Sequence, residues 1–179
     1  MIKNILLILA ASVSLASCSS DNKNAEGPPK IFFDLKGYVA DYVAQKESEN
    51  SRVTKIVNKD NSESQTLTLD SVNWEKELAL LTESDINKSA YKDKYKVDSL
   101  IDCLRYTALD SSLNTRLLKV CFVDDSVQQI YVERGEKNIL YKSGQVLSFY
   151  PSGKYSVEAK QKIKGLGNHL FKTSIEIVK

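Results

Sequence analysis

The stretch CLRYTALDSSLNTRLLKVCFVDDSVQQIYVER, residues 103–134, alternates apolar and polar side chains and is broken twice by Asp/Ser clusters. A period of two marks strands with one buried face, and Asp110-Ser111-Ser112 and Asp124-Asp125-Ser126 mark the turns between them. In a hairpin the turn fixes which residues oppose each other, so the apolar sets must meet if the pattern is a sheet. A turn centred on Ser112 pairs Leu104 with Val120 and Tyr106 with Leu118. One centred on Asp125 pairs Val120 with Ile130 and Leu118 with Val132. The middle strand uses the same residues in both pairings, as a single buried face requires.

The period of two runs on to the C-terminus. Strands are expected over about 93–98, 101–108, 116–123, 127–134, 138–149, 154–164 and 169–178. The later turns fall at Gly135-Glu136-Lys137, Pro151-Ser152-Gly153 and Gly165-Leu166-Gly167-Asn168. A turn centred on Gly167 pairs Ile163 with Phe171, Ala159 with Ile175 and Val157 with Ile177. Connections this short join antiparallel neighbours.

Toward the N-terminus the period changes. Phe32, Leu35, Val39 and Val43 recur at helical spacing over 31–45. Asp34 is a candidate N-cap, in which case Phe32 and Phe33 lie just ahead of the helix proper, and Gly37 weakens it. The β-branched runs 52–57 and 65–69 flank Lys59-Asp60-Asn61-Ser62 as a hairpin. Asp70 or Ser71 caps a second helix, Val72 to about Glu83, which turns Trp74, Leu78 and Leu81 to one side. The expected fold class is α+β. A long antiparallel β-meander of about six to eight strands carries two N-terminal amphipathic helices packed on its apolar face.

The first residues have another character. Lys3 precedes the apolar run Ile5 to Ala11, and small residues lead to Ser17. A positive start, a short apolar centre and a small-residue cut site form a secretory signal. At about 13 residues the segment falls short of the ~20 that span a bilayer as a helix. Leu15-Ala16-Ser17-Cys18 resembles the lipobox of bacterial lipoproteins, which implies cleavage before Cys18 and diacylation of its thiol. An ordinary cut after Ala16 is the alternative. By the sorting rule of well-studied Gram-negative lipoproteins, Ser19 after the cysteine implies an outer-membrane address, on either side. The rest of the chain, notably Trp74-Glu75-Lys76-Glu77-Leu78-Ala79-Leu80 and Asp85-Ile86-Asn87-Lys88, resembles small uncharacterised outer-membrane lipoproteins, and that resemblance implies no activity.

The expected organisation is a signal peptide at 1–17, a lipidated Cys18 with a flexible tether to residue 30, and a single α+β domain at 31–179. Gly27-Pro28-Pro29 closes the tether, which reaches ~40 Å when extended. Loss of Lys3 with the signal lowers the formal charge from +2 to +1. Near-neutrality and export both argue against nucleic-acid binding.

Candidate chemistry is sparse. Cys103 falls opposite Cys121, within disulfide reach in an oxidising compartment, though two free thiols are the alternative. His169 is the single histidine, so a general base or metal site would rest on carboxylates. No nucleophile, zinc or phosphate-loop motif is present. Lys160, Lys162 and Lys164 share a strand face near Lys154 and Lys172, as a patch for anionic ligands or as a solvated edge. Tyr131, Tyr141, Tyr150 and Tyr155 could line an aromatic strip, or serve as strand formers. Asp70-Ser71-Val72, Asp98-Ser99-Leu100 and Asp125-Ser126-Val127 are similar to the acceptor triplet of some periplasmic O-glycosylation systems, and each also reads as a cap or turn.

The expected function is a non-enzymatic binding or assembly module of the cell envelope, membrane-attached through its acyl chains. Its partner would be an envelope protein, glycan or lipid, and no cofactor is called for. The alternatives are a carrier of an apolar ligand in a sheet–helix cavity and an envelope hydrolase.

Overall fold

The computed structural model describes residues 30–49, 51–60, 64–137, 139–165 and 167–178. Cys18 and the expected signal lie outside them, as does the tether up to residue 29. Helix α1 spans Leu35–Glu49, strands β1 Val53–Lys59 and β2 Gln65–Leu69, and short helices α2 Trp74–Glu77 and α3 Ala79–Glu83. Strands β3 Tyr95–Ser99, β4 Cys103–Ala108, β5 Thr115–Val123, β6 Ser126–Lys137, β7 Tyr141–Tyr150, β8 Lys154–Ile163 and β9 Gly167–Ile177 follow. All nine strands form one antiparallel sheet, ordered β2-β1-β9-β8-β7-β6-β5-β4-β3. The α+β class and the meander hold. The strand count exceeds the expected six to eight because the N-terminal hairpin pairs with the last strand, Val53 opposite Ile177.

The central registers are those the turns dictate. Leu104 opposes Val120, Tyr106 opposes Leu118, and Val120 opposes Ile130. The β5–β6 turn is tighter than expected. Asp124 and Asp125, both at positive φ, form the two-residue loop favoured by strand twist. A bulge between Cys121 and Phe122 then restores the upstream register.

Two expectations fail here. Gly135-Glu136-Lys137 is not a turn but the end of β6, with Gly135 opposite Gly144 and Lys137 opposite Lys142. The turn falls later, leaving Ile139 and Leu140 exposed. Apolar side chains there mimic a strand. Nor does the last hairpin turn on Gly167. Tyr155 opposes Ile175, Ala159 opposes Phe171 and Ile163 opposes Gly167, four residues away from the expected register. Gly165 and Gly167 both take positive φ, which lets the chain reverse earlier. An even shift keeps the same residues on the same face, so apolar alternation cannot detect it.

Asp34 caps α1 by accepting from the Gly37 N–H at 3.0 Å. A side chain at position 37 would collide with that carboxylate, so the glycine serves the cap. The second helix is capped by Asn73, which accepts from Lys76 N at 2.8 Å. The expected caps do other work or none: Asp70 pairs with Arg52 at the surface. The helix also breaks at Leu78, whose side chain is fully buried. Asn87 fastens the incoming chain. Its Oδ1 accepts from Ile31 N and Phe32 N, and its Nδ2 donates to Phe33 O.

One buried cluster joins Leu35, Val39 and Tyr42 of α1 and Trp74, Leu78 and Leu81 with the sheet residues Leu118, Val120, Ile130, Val132, Leu147 and Phe149. The Tyr42 ring meets Phe149 edge-on at 4.9 Å. Burial pushes the Tyr42 phenol up to about 12, and burial raises Tyr95 and Tyr155 further. A raised folded value means the neutral form is favoured. The contribution is intact below the ordinary phenol value of 10.0 and is lost as pH climbs from there through about 12. In an alkaline titration followed by phenolate absorbance, half-buried tyrosines should ionise reversibly, and these three only together with loss of the fold. A single reversible phase covering all nine tyrosines would contradict the packing.

Candidate functional site

Alternation sends the other half of each strand's side chains to the face opposite the buried cluster. Pairing carries single rows of side chains across this open face. One row runs Arg105, Lys119, Tyr131, Ser148, Ser156, Ser174 on successive strands. A parallel row runs Glu133, Val146, Glu158, Lys172. Toward the far end, Gly135 opposes Gly144, which opposes Lys160. At the margin Lys137 opposes Lys142, which opposes Lys162.

Small residues in these rows leave depressions. One of about 430 Å³ is lined by Ser148, Ser156 and Ser174 together with Asn58, Glu158 and Lys172. Another of about 680 Å³ includes Lys142, Gly144, Lys160 and Lys162, with Asp60 and His169 at its other side. A third, of about 210 Å³, shares Val146 and Glu158 with the first and Gly144 and Lys160 with the second. The three lie side by side on the open face, with the Lys160–Glu158 pair between them, as a shallow trough from serine hydroxyls at the sheet centre to lysines at its margin. Gly144 sits on its floor with nothing within 4 Å of where a Cβ would point.

The charges along the trough are unequally matched. Lys172 and Lys160 both lie on Glu158, at 3.0 and 3.4 Å, and the Lys172 ammonium holds this carboxyl below its ordinary value. Lys154 faces Glu176 at 4.0 Å. Among the described residues no carboxylate pairs with Lys137, Lys142 or Lys162. Like charges directly opposed on neighbouring strands are destabilising, and here three stand in line.

The lysines singled out from sequence thus separate: Lys160 and Lys162 line the trough, while Lys164 lies just past β8, its N–H on Leu140 O. Only half of the tyrosine strip assembles: Tyr150 shares the open face with Tyr131, its hydroxyl accepting from Gln129 at 2.9 Å. Tyr131 is on the open face, its hydroxyl donating to Glu133 at 2.9 Å. Tyr155 is in the core, and Tyr141 alternates with Lys142 to the opposite face. Cys103 and Cys121 are joined by a disulfide on the open face, one row from Arg105 and Lys119.

His169 has a partner that sequence did not suggest. Its Nδ1 lies 3.0 Å from Asp60 Oδ2, and Asp60 Oδ1 accepts from Leu170 N. These contacts, the Leu170 N–H first, hold the Asp60 carboxyl below its ordinary value. A carboxylate on Nδ1 is the orienting half of a hydrolytic triad. Among the described residues no hydroxyl or thiol hydrogen-bonds to His169. Ser143 Oγ is buried without a hydrogen-bond partner, but Gln161 stands between Ser143 and His169 in the pairing. Two strand spacings put them roughly 10 Å apart, beyond hydrogen-bond reach. No group of three or more metal-ligating side chains occurs among the described residues, and no helix among them is long and apolar enough to cross a membrane.

Sequence reading missed Gly144, Lys137, Lys142 and the serine row. The β7–β8 turn at Pro151-Ser152-Gly153 was available to place Ser148 opposite Ser156 and Lys142 opposite Lys162, because a hairpin turn fixes its register. No protein-family model matches the chain, and comparison with curated proteins and with solved structures finds no match.

Proposed function

We propose that this protein is a lipid-anchored binding module of the bacterial cell envelope that holds its ligand on the open face of the sheet and performs no chemistry on it. The observation that carries the reading is the polar trough opposite the buried cluster. Serine hydroxyls, the Asn58 amide and lysine ammonium groups line it, together with the carboxylates of Asp60 and Glu158 and the apolar Ile56 and Val146. Among the described residues no hydroxyl hydrogen-bonds to His169. Helices α1 to α3 serve as the cover of the apolar face, leaving the other face for a ligand. The lipobox at Leu15-Ala16-Ser17-Cys18 supports the anchor, and two or more acyl chains make attachment stable. Ser19 supports an outer-membrane address. The carrier alternative needs an apolar cavity of some hundreds of Å³. Trp74, Tyr42, Leu78 and Phe149 fill the space between helices and sheet, which favours the outer face over the interior.

The anchor is tested by mass spectrometry of the membrane-extracted chain and by Cys18→Ala. The native N-terminal peptide should begin at an acylated Cys18. The variant should keep its fold by circular dichroism while leaving the membrane fraction. An unmodified Cys18, or a variant that fractionates unchanged, rules out the anchor. The face is tested by hydrogen exchange with envelope extract added. Protection should appear on β7, β8 and β9 at the trough, and protection confined to the helices would assign the ligand elsewhere.

A further inference from the structure

We infer that the trough binds an acidic glycan strand, its carboxylate or phosphate groups seated among Lys142, Lys162 and Lys137 and its sugar hydroxyls along the Ser148-Ser156-Ser174 row. This rests on the binding-module reading above and names the ligand class for the same site.

Three features select this occupant. The first is charge. Lys137, Lys142 and Lys162 oppose one another across three strands. Asp60, the carboxylate lining the same depression, is held by His169 and the Leu170 N–H instead. An anion therefore relieves a repulsion that the folded sheet otherwise retains. The second is shape. Lys142, Lys160 and Lys162 line a depression, a concave seat for a chain, while the exposed Ile139 and Leu140 at the adjoining turn are what a bilayer would engage and what the vesicle probes address. A chain lying lengthwise uses the whole trough. The third is the floor. Hydroxyls of three opposed serines, with Asn58 and Glu158 beside them, offer donors and acceptors at a spacing of about 4.8 Å per strand. That suits a ligand with hydroxyls along its length. A compact anion would need only the lysine end.

The overall charge hides this preference. The chain is formally +2, yet Arg105, Lys119, Lys142, Lys160, Lys162 and Lys172 all project to the open face by strand parity, where Asp98, Glu133, Glu158 and Glu176 offset only part of their charge. The basic excess of this one face favours a polyanion without making the molecule a general cation.

The test uses the full chain in non-ionic detergent and calorimetric titration at low salt. The probes are a galacturonic acid oligomer, a neutral dextran oligomer of equal length, inorganic phosphate, and phosphatidylcholine vesicles with and without phosphatidylglycerol. The acidic oligomer should bind, dextran should bind at least tenfold more weakly, and added salt should reduce the affinity. Lys142→Gln with Lys162→Gln should weaken binding at least tenfold. Gly144→Phe should do the same by filling the floor. Its melting temperature should be equal or higher, since the backbone there is ordinary strand with open space above it.

Preference for phosphatidylglycerol vesicles, unaffected by Gly144→Phe, overturns the inference in favour of a lipid surface. Equal binding of inorganic phosphate and oligomer overturns the role of the serine row. No binding of the acidic oligomer overturns the inference outright. Envelope extract still protecting the trough would then leave the binding-module reading standing, whereas glycan binding with an unmodified Cys18 would remove the anchor and keep the glycan.

Discussion

Replacing Phe149 with alanine should lower the unfolding free energy by roughly 3–5 kcal/mol, seen as a fall in the urea midpoint without a change in slope. Phe149 is 1% exposed and stands where the two layers of the core meet. On the sheet it opposes Ile130 on one side and Tyr155 on the other. From α1 the rings of Tyr42 and Tyr38 meet it edge-on at 4.9 and 6.4 Å. Truncation removes the apolar area and leaves a void that strands paired on both sides cannot close. Against a typical stability of about 5–15 kcal/mol, the loss threatens the fold itself. Val146→Ala on the open face of the same strand is the control, expected within about 0.5–1 kcal/mol of wild type. Equal effects from the two substitutions would mean that the buried face has been assigned to the wrong side of the sheet.

That assignment was legible in the sequence wherever two turns constrained one strand. Leu118 and Val120 had to serve both neighbours, and only one parity allowed it. The reading failed where a symmetry of the pattern hid the answer. Ile163 opposite Phe171 and Ile163 opposite Gly167 bury the same residues, so only the backbone freedom of Gly165 and Gly167 decides between them. It failed again where composition ran against position. Ile139 and Leu140 look like strand and sit in a turn, while Gly135 looks like a turn and sits in strand. Local propensity yielded there to a pairing set by the longer strands.

The site was less legible than the fold for a related reason. Lys160 and Lys162 stand out as alternate residues of one strand, but the trough depends on residues from several strands. Gly144 matters for the side chain it lacks, and Ser156 for its place between Ser148 and Ser174. None carries a motif. The partnership of Asp60 with His169 is likewise invisible locally, since the residues are 109 positions apart and meet only because β1 pairs with β9.

Converting both Cys103 and Cys121 to serine should cost about 3 kcal/mol by the chain-entropy model, for a loop closed across a separation of 18 residues. The loss should differ in kind from that of Phe149→Ala. The disulfide lies on the open face, and the core pairs Leu104–Val120 and Tyr106–Leu118 lie on the other. Its removal opens no cavity in the core. The strand pairing also survives, since each neighbouring row keeps its backbone bonds. The effect therefore falls mainly on the unfolded chain, which gains the freedom the cross-link denied it. A larger unfolded ensemble exposes more surface, so the denaturant slope should rise while the midpoint falls. Phe149→Ala should move the midpoint alone. The two variants thus separate a stabilisation that acts on the native core from one that acts on the denatured state. A double serine variant with an unchanged slope and a core-like loss would show that the bond instead holds β4 in place against β5. Hydrogen exchange would then quicken on β3 and β4, the strands between the bond and the sheet edge.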